Sequence, residues 1–242
     1  MPSIEWNKKL WNDDFPWPKN GDEWDNQAGF CNQPYEKWKN SIAENFILNN
    51  INEESVVLEI APGHGRWTEF ILKKVKKIIL VELSQERIKY CKKIFDNSKN
   101  IDYFMNNGKD LFFIADNSID FIFSYDSFVH IEKDAIACYF KEFSRILKKE
   151  GIAIIHHAGR NDLFLKFKFI KNFGDSGKKI YNYLTIKKYD NIAGHRADVS
   201  KEGIKKAAEK YNLKVIFQIN YWGENKEFNN KLFNDYITKM QK

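Results

Sequence analysis

The chain has 242 residues, 43% of them apolar and 16% aromatic, which is ample material for a buried core and excludes intrinsic disorder. Its 39 Lys and Arg against 33 Asp and Glu give a net charge of +6, yet the excess is local: residues 1–50 carry a net −3 and residues 160–190 a net +5. A nucleic-acid binder should show a continuous basic stripe and a recognisable module, so this pattern suits a small anionic ligand better. No apolar run reaches the roughly 18–20 residues of a membrane span, and the N-terminal MPSIEWNKKLW has no apolar stretch of the signal-peptide kind. Cys31, Cys91 and Cys138 show no CxxC spacing. They read as reduced thiols of a cytoplasmic protein, without a zinc or disulfide framework.

Residues 1–32 hold Trp6, Trp11, Trp17 and Trp24 among Asp, Asn, Pro and Gly, which reads as an ordered, loop-like arm. Pro34 suits a helix start, and Trp38, Ile42, Phe46 and Ile47 follow at helical spacing. Apolar strand-like runs then alternate with amphipathic stretches. The strands are Val56–Ile60, Ile78–Glu82, Ile101–Phe104, Ile119–Ser124 and Gly151–His157. The helices are Arg66–Lys74, Ser84–Asp96 and Lys133–Lys148, the last stopped by Gly151. This alternation predicts βαβ units and a parallel sheet covered on both faces. Residues 160–195 are rich in Lys, Phe and Tyr and break the rhythm as an insertion. A helix Ser200–Tyr211 with Ser200 as N-cap and a strand Leu213–Ile219 follow. Beyond them Phe228, Leu232, Phe233, Tyr236, Ile237 and Met240 recur at helical spacing, while Tyr236–Met240 also alternates as a strand.

The segment VVLEIAPGHGRWT, Val56 to Thr68, carries the chemistry: a buried strand runs into Gly63-x-Gly65 and then a helix. Glycines there let the chain turn tightly and bring backbone N–H groups to a ligand at the helix start. The third glycine of a nicotinamide fingerprint would fall at residue 68, which is Thr68. Glu59, four residues before Gly63, would repel a pyrophosphate and favour a cation or amine. Glu82 ends the second strand 23 residues after Glu59, where a carboxylate can accept both hydroxyls of a ribose. Asn106–Leu111 follows the third strand, and DFIFSYDSFVH, Asp120 to His130, covers the fourth and its exit.

In this order and spacing the motifs resemble the class I S-adenosylmethionine-dependent methyltransferases, over Val56 to about Gly159. The resemblance implies an α/β, Rossmann-like, doubly wound fold with a seven-stranded, mostly parallel sheet. It implies that Glu59, Ala61, Gly63 and Gly65 hold the methionine moiety of S-adenosyl-L-methionine, that Glu82 holds the ribose, that Leu83, Asn107 and Gly108 flank the adenine, and that Asp126 lines the cofactor's rim. S-adenosyl-L-homocysteine is then the product. The arm with GDEW, the GRWT continuation, HHAG and GHRADVS also resemble methyltransferases that accompany bacterial surface-glycan biosynthesis. Residues 1–50 are read as the arm and a lid helix, and 51–242 as the methyltransferase domain, with 160–195 forming part of the acceptor site.

All five histidines, His64, His130, His156, His157 and His195, fall at strand exits or in the insertion, where ligands bind in an open α/β sheet. A hydroxyl acceptor needs a base near neutral pKa. His156 and His157 are adjacent in a strand and point to opposite faces. His157, nearer the exit, is preferred as base, with His156 the alternative and His130 next. A metal on His130, His157, His195 and Asp126 lacks any HxH, HxxxH or HExxH pair, so none is expected. Arg160, Lys166, Lys168, Lys171, Lys178, Lys179 and Arg196 can meet phosphate, and Trp24 and His195 join Arg160, Lys168 and Arg196 as expected acceptor contacts. The absent Asn-Pro-Pro-Tyr motif speaks against nucleic-acid and protein substrates. The readings are O-methylation of a small sugar, nucleotide-sugar or phosphorylated precursor; N-methylation of a small phosphorylated amine such as phosphoethanolamine; RNA methylation; or a non-catalytic cofactor-binding partner subunit.

Overall fold

A computed structural model describes residues 3–14, 28–29, 31–159, 174, 176, 196–231 and 234–242. The strands are β1 (Val56–Ile60), β2 (Lys77–Glu82), β3 (Ile101–Met105), β4 (Ile119–Phe128), β5 (Leu147–His157), β6 (Lys214–Ile219), β7 (Tyr221–Trp222), β8 (Phe228–Asn229) and β9 (Tyr236–Gln241). Seven of them form one sheet in the order β3-β2-β1-β4-β5-β9-β6, with β9 antiparallel to both neighbours. The helices are α1 (Ile4–Lys9), α2 (Tyr35–Ile42), α3 (Thr68–Leu72), α4 (Gln85–Ile94), α5 (Lys133–Ile146) and α6 (Lys201–Lys210).

Period-two alternation divides the core between the two faces of the sheet. Leu58, Ile60, Val81, Ile122 and Ile155 pack with Phe140 and Phe143 of α5 and Ile204 and Ala208 of α6. Val57, Leu80, Phe121, Phe123 and Ile154 pack on the other side with Trp38 and Ile42 of α2, Ile71 of α3 and Cys91 of α4. Ser84 caps α4 by accepting from the Arg87 N–H, and Ser200 caps α6 by accepting from the Gly203 N–H. The C-terminal ambiguity resolves as a strand. Ile237 joins one face of the core and Met240 the other, which an alternating backbone requires.

Several boundaries differ from the sequence expectation. Residues after Ser3 form a helix rather than a loop, because Ser3 accepts from the Trp6 N–H while Glu5 and Lys8–Lys9 complement the helix dipole. That helix widens into a π-helical turn at Leu10–Asp14. The stretch Arg66–Lys74 is helical only over Thr68–Leu72. The helix expected to reach Lys148 ends at Ile146, and Leu147 already pairs with Ile119. Gly151 is needed for close approach, since a Cβ there would lie 2.9 Å from the Lys148 carbonyl, while the left-handed residue is Glu150 (φ 66°).

One irregularity prepares the site. Ser124 pairs with Ile155 and Phe128 with His157, so β4 spends four residues where β5 spends two. The extra residues bulge outward, with Asp126 at φ 68°. Ser124 pins the base of the bulge by donating to the Ile60 carbonyl at 2.8 Å, and Ser127 donates to Ser124 at 2.7 Å.

Candidate active site

Two adjoining cavities open at the carboxyl ends of β1, β2 and β4, where an open parallel sheet places its ligands. The first, about 570 Å³, is lined by Ala61, Gly63, Arg66, Trp67, Arg87 and the bulge residues Tyr125–Ser127, among others. The second, about 540 Å³, is lined largely by Ile4, Ile60, Val81, Leu83, Ile131, Asn106, Gly108 and Tyr139. Trp11, Ala61, Glu82 and Ser127 line both and join them.

The glycine turn is built on backbone few residues adopt. Ala61, Gly63 and Gly65 have φ of 56°, 58° and 80°. A Cβ on Gly65 would come within 2.6 Å of the Phe95 ring, so glycine is required there. Ala61 bears the left-handed strain that a glycine would avoid, at roughly 1–2 kcal/mol. Glu59 is buried beneath the turn, accepts from Thr68 Oγ1 at 2.6 Å and lines neither cavity.

Glu82 is buried at the tip of β2. Its carboxylate accepts from the Leu83 N–H at 2.7 Å, the Ser84 N–H at 3.2 Å and the Gly63 N–H at 3.3 Å. Burial pushes its pKa up, against these three amides and Arg87, which favour the anion. Its remaining lone pairs face the cavities and can accept hydroxyl donors. Leu83 and Gly108 line the second cavity, but Asn107 does not. Asn107 is exposed, bonded to Asp110 and to the Lys109 N–H, and Asn106 takes its place in the wall, donating to Tyr139 Oη at 2.7 Å.

The histidines divide sharply. His157 is fully buried and lines neither cavity. Its Nδ1 donates to the Ala158 carbonyl at 2.8 Å and its Nε2 accepts from Thr238 Oγ1 at 2.6 Å. Burial pulls its pKa down to about 3. With both nitrogens committed, it has no lone pair for an acceptor's proton, which corrects the preference for it as base. His156 points the other way, behind the bulge, 3.1 Å from Asp126 Oδ1 and stacked on Tyr125. His130 lies beside Trp6 and Trp11, and its carbonyl accepts from Asn7 Nδ2 at 2.8 Å. His64 stacks on Tyr90 and accepts from Arg87; burial and that cation lower its pKa to about 4.

Arg196 bonds Asp235 rather than lining either cavity. Trp24, Arg160, Lys168 and His195 lie outside the described residues, as do Lys166, Lys171, Lys178 and Lys179. The residues that sequence reasoning missed are Arg66, Arg87, Trp11 and Asp235. Arg66 stands in the quoted GRWT and is held over Trp67, its guanidinium carbon 5.1 Å from the ring. Nothing in the sequence marks Asp235. Among the described residues no group of three or more His, Cys, Asp or Glu is placed to hold a metal, and no helix is long and apolar enough to cross a membrane.

Residues 57–151 match the model of a methyltransferase domain. Over 63 residues the chain is 36% identical to ribosomal RNA small subunit methyltransferase A of Caldanaerobacter subterraneus subsp. tengcongensis, a match covering 23% of this chain and 24% of that protein. The chain thus spans about a quarter of the length of this curated relative. Geranyl diphosphate C-methyltransferase from Streptomyces coelicolor A3(2), solved with Mg2+, geranyl diphosphate and S-adenosyl-L-homocysteine, superposes with a TM-score of 0.64 at 11% identity, over 100% of this chain and 97% of that one. An S-adenosylmethionine-dependent methyltransferase from Clostridium acetobutylicum superposes with a TM-score of 0.61 at 19% identity, over 89% and 95%. The fold is that of the class I methyltransferases. Residues 57–151 are thus the part of the chain that resembles an enzyme, a methyltransferase.

The buried neutral His157 makes stability depend on pH. In the unfolded chain a histidine takes up its proton near pH 6.5, whereas in the fold His157 stays neutral down to about pH 3. Acid therefore favours unfolding across that window, with a slope of about 1.4 kcal/mol per pH unit from this one group. His64 acts in the same direction. Urea unfolding at pH 4, 5, 6 and 7 should show His157→Gln flattening the wild-type decline by about that slope; an unchanged slope would contradict the buried neutral imidazole.

Proposed function

We propose that the protein transfers the methyl group of S-adenosyl-L-methionine to a hydroxyl of a small, anionic, polar acceptor, such as a sugar, nucleotide-sugar or phosphorylated precursor. The observation that carries this reading is the pairing of the cavities around Glu82: one mostly apolar, the other lined by Arg66, Arg87, Asp126, Trp11, Trp67 and Tyr125. The first-cavity arginines favour an anionic partner, and the aromatic walls suit a sugar ring. The resemblance of the GRWT and GHRADVS segments to surface-glycan methyltransferases supports a role in surface-polysaccharide biosynthesis.

The residues present fit the cofactor. Ile60, Val81, Leu83 and Ile131 offer apolar walls for an adenine, with Asn106, Gly108 and Tyr139 at its edge. Glu82 takes the ribose hydroxyls, and the backbone of Ala61 and Gly63 follows the methionine moiety. Glu59 and Gly65 act from beneath, by fixing the turn through Thr68 and Phe95. Bound there, S-adenosyl-L-methionine supplies an electrophilic methyl carbon on a sulfonium. Asp126, at the rim, orients the acceptor hydroxyl, and the arginines hold the acceptor's negative charge while the walls exclude water.

α1 and the turn after it form the lid. Ile4, Asn7 and Trp11 line the second cavity, and Asn7 latches the helix by donating to the His130 carbonyl at 2.8 Å. Trp11 Nε1 donates in turn to Asn7 Oδ1 at 3.0 Å. A second reading, N-methylation of a small phosphorylated amine, is favoured by Asp126 among Trp11, Trp67 and Tyr125, which suits an ammonium.

Three outcomes are expected. Labelled cofactor offered with sugar phosphates, nucleotide-sugars, phosphoethanolamine and RNA should label a sugar phosphate or nucleotide-sugar. Labelled phosphoethanolamine would replace this reading by the second, and RNA labelling that falls steeply with salt would overturn both. In calorimetry Glu82→Ala should weaken S-adenosyl-L-homocysteine at least ~10-fold, since a hydrogen bond to a charged group is worth roughly 1.5–3 kcal/mol; equal affinity would remove Glu82 from the ribose. Hydrogen exchange of residues 3–14 should slow on adding S-adenosyl-L-homocysteine, and Asn7→Ala should abolish that protection. Equal exchange with and without ligand would refute the lid.

A further inference from the structure

Behind the first cavity, four ionisable chains and one imidazole form a row in which Arg66, His156 and Asp235 are buried and Asp126 and Arg196 partly so. Asp126 Oδ2 lies 3.7 Å from Arg66 Nη2, and Asp126 Oδ1 lies 3.1 Å from His156 Nδ1. Across the ring, His156 Nε2 lies 3.9 Å from Asp235 Oδ2, with both side chains only 2% exposed. Asp235 Oδ2 in turn accepts from Arg196 Nε at 2.9 Å and Nη2 at 2.7 Å. With a neutral ring the charges of the row sum to zero. An Arg–Asp pair alone would satisfy Arg196. An imidazole held between two carboxylates is more than such a pair needs.

The tautomer follows from the bulge. The Asp126 N–H donates to His156 Nδ1 at 3.3 Å, so Nδ1 bears the lone pair and the ring's proton is on Nε2, on the side of Asp235. Asp126 reaches the cavity and His156 does not.

We propose that Asp235 is a positioning residue: its carboxylate, 3.9 Å from Nε2 and beyond hydrogen-bond reach, acts by its charge to favour the ring with its proton on Nε2 and Nδ1 ready to receive, by way of Asp126, the proton that the acceptor hydroxyl gives up. This rests on the methyl-transfer reading above. As the acceptor's O–H bond breaks, its electron pair becomes available to the new O–C bond. The proton passes to Asp126 Oδ1 and then to Nδ1. The imidazole gains the one positive charge that the sulfonium loses, so the site's total charge is unchanged. The imidazolium is then flanked by two carboxylates, each with an arginine beside it, Arg66 or Arg196.

Among the described residues, these groups surround the ring. β4 contributes Asp126 and Tyr125, whose ring stacks at 4.3 Å and whose hydroxyl burial keeps protonated. The loop before β9 contributes Asp235, and β5 contributes neutral His157 beside it. Arg66 and Arg196 stand one step further out.

The test is nitrogen-15 NMR of the His156 ring in the full-length chain, titrated without an acceptor, with S-adenosyl-L-homocysteine calorimetry alongside. Wild type should show the Nε2–H tautomer. Asp235→Asn should lower the His156 midpoint by about one pH unit or more and mix the tautomers, since a carboxylate at this range favours the charged ring. Asp235→Glu should restore both. Arg196→Gln, which keeps the carboxylate and removes its cation, should raise the midpoint, and it serves as the test should Asp235→Asn fail to fold. An unchanged midpoint and tautomer in the folded variants overturns the proposal. Failure of wild type to bind S-adenosyl-L-homocysteine overturns the methyl-transfer reading instead, so the two failures are distinct.

Discussion

The desolvated carboxylate of Glu82 is the interaction on which the site depends. It gathers N–H groups from three places: the glycine turn after β1, the residue that follows it, and the cap of α4. None of these amides has a helix or strand partner at that point, so the carboxylate satisfies donors that burial would otherwise leave costly. The exchange ties the ends of β1 and β2 together and leaves outward lone pairs on the wall shared by both cavities. Burial pushes its pKa up, and the amides and Arg87 oppose that.

The second constraint is the bulge of β4. A regular parallel strand would send alternate residues into the two apolar layers and leave nothing at the rim. Two extra residues between Ser124 and Phe128 break that alternation, so Tyr125, Asp126 and Ser127 all reach the cavity. The strained backbone of Asp126 turns its N–H toward His156 while its carboxylate faces Arg66. Strain of this sort persists where the surroundings over-determine it. Here Ser124 and Ser127 fix the bulge from below and the imidazole fixes it from behind.

The frame was legible because it is written in periodicity. Val56–Ile60 and Ile119–Ser124 alternate two faces of apolar residues, and the Gly63-x-Gly65 turn is marked by the one residue type that tolerates its dihedrals. Glu82 could be found by its place at a strand end. The base could not. His156 and His157 look equivalent in sequence, and which of them meets Asp126 behind the cavity wall depends on the register of β5 against β4 and β9. Nearness to the strand exit favoured His157, yet Thr238, 81 residues away, closes its second nitrogen. Asp235 was invisible for the same reason, since its meaning comes from a ring and a guanidinium remote in sequence. The helical reading of residues 3–14 was hidden because α1 is short, and its Ile4 faces the second cavity rather than a conventional core.

Those two unequal histidines also explain how the fold can hold a buried charged row without losing order. Isolated ions at this depth would cost several kcal/mol each, so the row is tolerated only because every charge has an opposite neighbour. On the far side of β5 the same strand buries a neutral, fully bonded imidazole against Thr238 and Gln218, which anchors β9 and with it the loop carrying Asp235. The spacing of Asp235 from His156 is thus set by a histidine that takes no part at the cavity. One ring fixes the distance; the other lies between the two carboxylates.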